Sequence, residues 1–163
     1  RQGGDCSGFV ELVNNKIGNI YFDPSDLDSH YSNSRKSKAM YNYYEAKNGI
    51  FKDKIPKVGD LVFFHNTLKA PKKLNESNIT HVGIVYKIEK DGTVHFANHL
   101  SGKNTISALN LKKSVHTHNG KEVNSYMKWC GKKESRDRCL AYGLFAGFAD
   151  ADINGVALNT VAK

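Results

Sequence analysis

Asp5-Cys6-Ser7-Gly8-Phe9-Val10 sets a cysteine in the first turn of an expected helix. Phe9, Val10, Val13 and Ile17 share one face at helical spacing. Asp5 fits the N-cap and Gly18 the residue that stops the helix. The free N–H groups and positive dipole end of such a start favour a thiolate, the form of cysteine that attacks carbonyl carbon. Taken alone, Cys6 also reads as a small packing residue. A sulfur nucleophile needs a base to take its proton and a third group to orient that base. Of the seven histidines, His81 is best placed, because it opens an apolar strand after a polar loop. From a strand end its ring can face the start of a helix packed on the sheet.

The elements that must position these residues follow from pattern. Residues 6–17 read as a helix, 19–34 as loop and 36–48 as a second helix ending at Gly49. Pro56-Lys57-Val58-Gly59-Asp60 is a turn that feeds the short buried strand Leu61-Val62-Phe63-Phe64. Residues 65–79 form a polar, lysine-rich loop. A hairpin follows, from His81–Ile88 through Lys90-Asp91-Gly92 to Thr93–Ala97. Further strands are expected at 105–111 and around Met127 and Trp129, and a helix over 136–149. A helix followed by a mostly antiparallel sheet is an α+β arrangement, here a single domain over 1–163.

Three of these stretches occur in an order that resembles the NlpC family of papain-like cell-wall cysteine peptidases. They are Asp5 to Val10, Pro56 to Phe64, and His81-Val82-Gly83-Ile84-Val85. The resemblance covers roughly residues 1 to 105. It implies a papain-like fold, Cys6 as nucleophile, His81 as base, and Asp5 and Ser7 as substrate contacts. The implied substrate is the peptide of peptidoglycan, commonly cut between D-glutamate and a diamino acid, with no cofactor. After the hairpin turn the family pattern resembles Asp-Gly-Thr-x-x-Phe-x-His. Here that segment is Asp91 to His99, and Asn98 stands where the family usually has His. An Asn oxygen can accept the imidazole N–H, as in a Cys-His-Asn arrangement. Asn98 is therefore the preferred third residue, with His99 and His95 as alternatives. The oxyanion is expected to meet the backbone N–H of Cys6. Tyr21, Tyr31, Tyr41, Tyr43 and Tyr44 read first as core or surface residues and second as groove lining.

Composition narrows the setting. The 163 residues carry 24 basic and 16 acidic side chains, a net charge of +8, which favours anionic partners. No zinc-finger spacing or nucleic-acid motif accompanies that charge, so nucleic acid is not expected. No apolar run approaches a membrane span. Three cysteines allow a Cys130–Cys139 disulfide with Cys6 left free, the arithmetic of an exported thiol enzyme. The chain opens without Met or a leader, so a processed or trimmed start is expected. The expected location is secreted, periplasmic or in the cell envelope, and the expected state a monomer. An inhibitory immunity protein is the partner expected if the enzyme is an antibacterial effector. His116-Thr117-His118 lacks a third metal ligand and reads as loop, and Asp150 to Gly155 lacks the Glu that a calcium loop needs at its end. Acyl transfer on the same scaffold, or a non-catalytic basic wall-binding module, are the competing functions.

Overall fold

The computed structural model describes residues 5–31, 35–68, 79–131 and 138–154. Helix α1 spans Cys6–Lys16, and the Asp5 side chain caps it by accepting the Gly8 N–H. Val10 is fully buried, with Phe9, Val13 and Ile17 half-buried beside it. Gly18 leaves the helix at φ +79°, a left-handed conformation that suits glycine. The pattern does not anticipate Asn14, a fully buried residue on the same helix. Its Oδ1 accepts the Tyr21 N–H at 2.9 Å and its Nδ2 donates to the Phe22 carbonyl at 2.9 Å. Those bonds fasten the apolar segment Ile20-Tyr21-Phe22 to the helix.

The stretch 19–34, expected to be loop, contains helix α2, Pro24–Asp28. Asp23 caps it and Pro24 occupies its first turn, where a missing N–H costs nothing. Its one buried residue, Leu27, anchors it. Helix α3, Lys36–Ala46, agrees with the sequence pattern. It lies against α1 and the sheet, and Lys36 pairs with Glu11 of α1 at 2.5 Å.

The sheet contains β1 (Ile50–Phe51), β2 (Leu61–His65), β3 (Ile79–Ile88), β4 (Val94–Leu100), β5 (Lys103–Leu109) and β8 (Phe145–Ala149). Their order is β1-β8-β2-β3-β4-β5, and every neighbouring pair is antiparallel. Strands β6 (Thr117–His118) and β7 (Lys121–Glu122) form a separate hairpin. One core lies between the helices and the sheet, around Val10, Tyr44 and Phe63. The other covers the opposite face, around Phe64, Phe96 and Phe148. The fold is α+β, with an N-terminal helix against a mostly antiparallel sheet.

The C-terminal segment departs from the sequence expectation. Among its described residues the only α-helix is α4, Ala141–Leu144, and the next five residues form β8. β8 enters the sheet between β1 and β2 and is therefore an interior strand. The Gly-containing run Phe145-Ala-Gly-Phe-Ala has too little helix propensity to resist that pairing. Gly147 sits at φ +144°, and a Cβ there would approach an Ile50 methyl to 2.9 Å, so the run also requires glycine. Nor do Met127 and Trp129 lie on a strand. Met127 is tied by its N–H to the Cys139 carbonyl, and Trp129 is 74 % exposed. Residues 136–137 of the expected helix and 69–78 of the expected loop lie outside the described residues.

A buried carboxylate joins β8 to the turn before β2. Asp60 accepts the backbone N–H of Lys57 at 2.9 Å, the Lys57 ammonium at 3.0 Å and the Ala151 N–H at 3.0 Å. Lys57 also reaches Asp150 at 2.7 Å. This explains the Lys-Val-Gly-Asp turn physically: its aspartate must be buried and fully bonded where two chain segments meet.

Phe148→Ala tests whether the tail belongs to the core. Phe148 is 1 % exposed and packs on Phe51 and Phe145. Its truncation is expected to cost about 3–5 kcal/mol in urea unfolding. An unchanged midpoint would mean that β8 is an appendage.

Candidate active site

Strand pairing builds the site. The N–H and C=O of Val85 bond the turn before β2, through Asp60 O and Gly59 N at 2.8 Å each. By strand alternation, the carbonyl of Thr80 and the N–H of Val82 point to the other side, toward β4. The β3–β4 ladder, however, stops at Ile84↔Ala97. Beyond that pair the Cys6 thiol meets the β3 backbone. Its S–H donates to the Thr80 carbonyl at 3.7 Å, and the Val82 N–H donates toward the sulfur. Cys6 thus sits at the β3 edge on both sides of His81.

His81 is 4 % exposed. Its Nε2 lies 2.7 Å from Asn98 Oδ1. The tautomer follows from the far end of the amide. Asn98 Nδ2 donates to the Thr105 carbonyl and to Ser107 Oγ, at 3.1 Å each. A carbonyl only accepts, so the NH₂ must face Thr105 and the oxygen must face the ring. Nε2 therefore carries the proton and donates it to Asn98, and Nδ1 keeps its lone pair.

Asn98 is the residue that meets His81, and the alternatives do not. The His99 ring bonds Asn104 at 2.8 Å, and the His95 ring faces Glu89 at 3.5 Å. Alternation along β4 puts His99 on the opposite face from Asn98. Gly83 explains the glycine of His-Val-Gly. A Cβ there would come within 2.8 Å of the Phe96 ring and 3.3 Å of Asn98 Cβ. The hydrogen atom lets Asn98 and Phe96 close over β3. Phe64 completes this wall, with ring centroids 6.0 Å from His81 and 5.1 Å from Phe96.

Asp5 and Ser7 bond each other. Ser7 Oγ donates to Asp5 Oδ1 at 2.9 Å, and the same oxygen takes the Gly8 N–H at 2.7 Å. Burial raises the Asp5 carboxyl, but those two donors and the nearby Arg35 cation outweigh it and hold the group below its ordinary value. The Cys6 N–H stands at the helix start, outside the helical hydrogen bonds.

The thiol differs from the expectation drawn from its helix position. Burial, with the Asp5 charge adding to it, pushes the thiol up. The Val82 N–H, Arg35 and the Ser7 N–H pull it down without cancelling that rise. Burial also drives His81 down to about 4, with Arg35 and His99 in the same direction and the Asn98 bond opposing. At neutral pH Cys6 therefore rests as a thiol and His81 as a neutral imidazole.

Two nearby residues escaped the sequence reading. Arg35, just before α3, acts on Asp5, Cys6 and His81 alike. Ser107 on β5 holds Asn98 from behind. Neither has a local signature, because only the packing of α3 and β5 brings them here. Tyr21, Tyr43 and Tyr44 are core residues, and Tyr31 is exposed. The Cys130 and Cys139 sulfurs are bonded, leaving Cys6 as the free cysteine. His116 pairs with Glu122 at 3.0 Å, and no cluster of metal-ligating side chains occurs among the described residues. No helix among them is long and apolar enough to cross a membrane.

A neutral resting pair gives a distinct alkylation profile. The rate of Cys6 modification by iodoacetamide, read by intact mass, is expected to keep climbing past about pH 9. A plateau from about pH 5 to 8 would instead reveal a preformed thiolate–imidazolium pair. Arg35→Gln removes a cation that lowers the thiol, so its profile is expected to move to higher pH.

The CHAP domain matches residues 1–99. No curated protein and no solved structure is matched. CHAP domains occur in NlpC-like and related peptidoglycan hydrolases, in agreement with the motif resemblance. They are typically amidases or peptidases of peptidoglycan. With 99 of its 163 residues matched, this chain belongs to the CHAP domain family.

Proposed function

We propose that this protein is a cysteine amidase or endopeptidase that cuts amide bonds in peptidoglycan stem peptides, with Cys6 as nucleophile, His81 as base and Asn98 as its orienting partner. The observation that carries this reading is the bond from His81 Nε2 to Asn98, which leaves Nδ1 as the basic atom. The flanking of His81 by the two backbone groups that hold the Cys6 sulfur supports it.

The reaction starts from the neutral pair. As the sulfur attacks the scissile carbonyl carbon, its proton passes to His81 Nδ1. The imidazolium is stabilised through Nε2–H by the Asn98 oxygen. The developing oxyanion takes the Cys6 N–H at the helix start, where the dipole is positive. Collapse expels the amine, which His81 protonates, and leaves a thioester on Cys6. His81 then deprotonates a water that attacks the thioester and releases the acid.

Asp5 and Ser7 border this carbonyl site as substrate contacts. Asp5 stays ionised and suits a protonated amine on the stem peptide. The favoured bond lies between D-glutamate and a diamino acid, following the family resemblance. The enzyme acts in the envelope, in wall remodelling or as an antibacterial effector checked by an immunity protein.

Purified peptidoglycan digested with wild type is expected to yield new muropeptides, their masses fixing the bond. Cys6→Ala is expected to lower the rate at least about a thousandfold. Identical product profiles from the two proteins would refute the reading. Added amine tests the competing acyl transfer, which predicts aminolysis products in place of free acid.

Asn98→Ala is expected to lower kcat on the order of a hundredfold with little change in KM. Because the Asn98 bond raises His81, its loss moves the acid limb to lower pH. In wild type that limb of kcat/KM lies near pH 4, since His81 stays neutral down to about 4. A midpoint at the ordinary histidine value would contradict the buried base.

A further inference from the structure

Away from Cys6, the chain concentrates lysines at the other end of β3. A cleft of about 580 Å³ lies between the β3–β4 turn and the β6–β7 hairpin. Lys87, Lys90, Lys113 and Lys121 line it, with Glu89 and Asp91 as its carboxylates. Asp91 pairs with Lys113 within the cleft, which leaves Lys87, Lys90 and Lys121 as its unpaired lysines, and Glu89 turns to His95. Asp91 holds the Lys113 ammonium at 3.2 Å and the Thr93 N–H at 2.9 Å, and Glu89 faces His95 at 3.5 Å. None of Lys87, Lys90 and Lys121 has an ion-pair partner among the described residues. A second cleft of about 330 Å³ continues from the same turn, lined by Lys52, Lys54 and Lys112 with Asp53 as its one carboxylate. The cations thus form one band around the Asp91-Gly92 turn.

The band rests on a built platform. Asn110 and Asn124 are both fully buried. Asn110 Nδ2 donates to Thr93 Oγ1 at 3.0 Å, and its Oδ1 accepts the N–H groups of Lys112 and Lys113 at 2.9 and 3.0 Å. Asn124 Nδ2 donates to the Lys113 carbonyl at 2.7 Å. Two buried amides therefore fix the lysine-bearing loop to the β3–β4 turn.

The geometry selects the ligand class. A single small anion wants converging donors, whereas these lysines come from four separate places around one cleft: β3, the β3–β4 turn, the loop after β5, and β7. Spread point charges suit a chain of repeating anions, and lysine is a point-charge partner for phosphate, while paired carboxylate recognition favours arginine. At about 3.3 Å per residue along β3, Lys87 stands roughly 20 Å from His81, so such a chain need not enter the catalytic site.

We propose that this lysine cleft is a second binding site, which takes a phosphodiester polyanion and holds the enzyme on a phosphate-bearing polymer while the Cys6 site works. The tethering role rests on the proposed hydrolase activity; the binding itself does not.

The test uses the whole chain as Cys6→Ala, so that hydrolysis plays no part, with synthetic poly(glycerol phosphate) as probe. Binding is expected to weaken with salt, by about 0.7 log units per log unit of salt for each phosphate held. Lys87→Ala/Lys90→Ala/Lys121→Ala is expected to lose at least tenfold in affinity and about two units of that slope. A control that removes equal charge, Lys16→Ala/Lys103→Ala/Lys128→Ala, is expected to retain both. Equal losses in the two triple variants would overturn the proposal, leaving only diffuse charge. Equal affinity for polyglutamate or for duplex DNA of matched length would overturn the assignment to a phosphodiester polymer. Binding that survives in Cys6→Ala while peptidoglycan cleavage is absent from wild type would refute the hydrolase alone.

Discussion

The β3–β4 ladder ends at the Ile84–Ala97 pair, and beyond it the thiol of Cys6 takes up backbone groups of β3. A buried strand edge must satisfy its N–H and C=O groups, and here the sulfur meets two of them. That one substitution of a thiol for a strand fixes the start of α1 against the sheet. It sets the sulfur against the backbone groups that flank His81 and removes it from water. The raised thiol and the depressed imidazole both follow chiefly from this burial. A helix start lowers a thiol; here desolvation is the larger effect.

The rest of the sheet keeps that arrangement in shape. Phe64 and Phe96 wall His81, and Gly83 gives Phe96 and Asn98 the room to close. Thr105 and Ser107 of β5 hold the Asn98 amide in one orientation, which assigns the imidazole proton to Nε2. A proton assignment at the site thus originates two strands away. On the far side of β2, β8 completes the sheet, and Asp60 with Lys57 joins its end to the turn that starts β2.

The segments with strong local signals were legible. The capped helix at Cys6, the α3 helix, the Asp-Gly hairpin and the Leu61 to Phe64 strand all have patterns that short-range physics dictates. The 141–149 segment was not, because a short apolar run with glycine reads alike as helix or strand until a sheet edge is offered to it. Asn14 and Asn110 look like surface residues in the sequence, and they are buried because backbone groups from distant segments need their amides.

Residue type and order determined that a cysteine, a histidine and an amide or second imidazole were available for acyl chemistry, and in which elements. Those elements are set by capping, periodicity and turn residues, which act over a few positions. Which of Asn98, His99 and His95 meets His81, how the thiol titrates, and that Arg35 stands nearby were decided by the tertiary structure alone. Each depends on strand register, burial and the approach of groups far apart in the chain, and these arise only when the sheet closes around the helix.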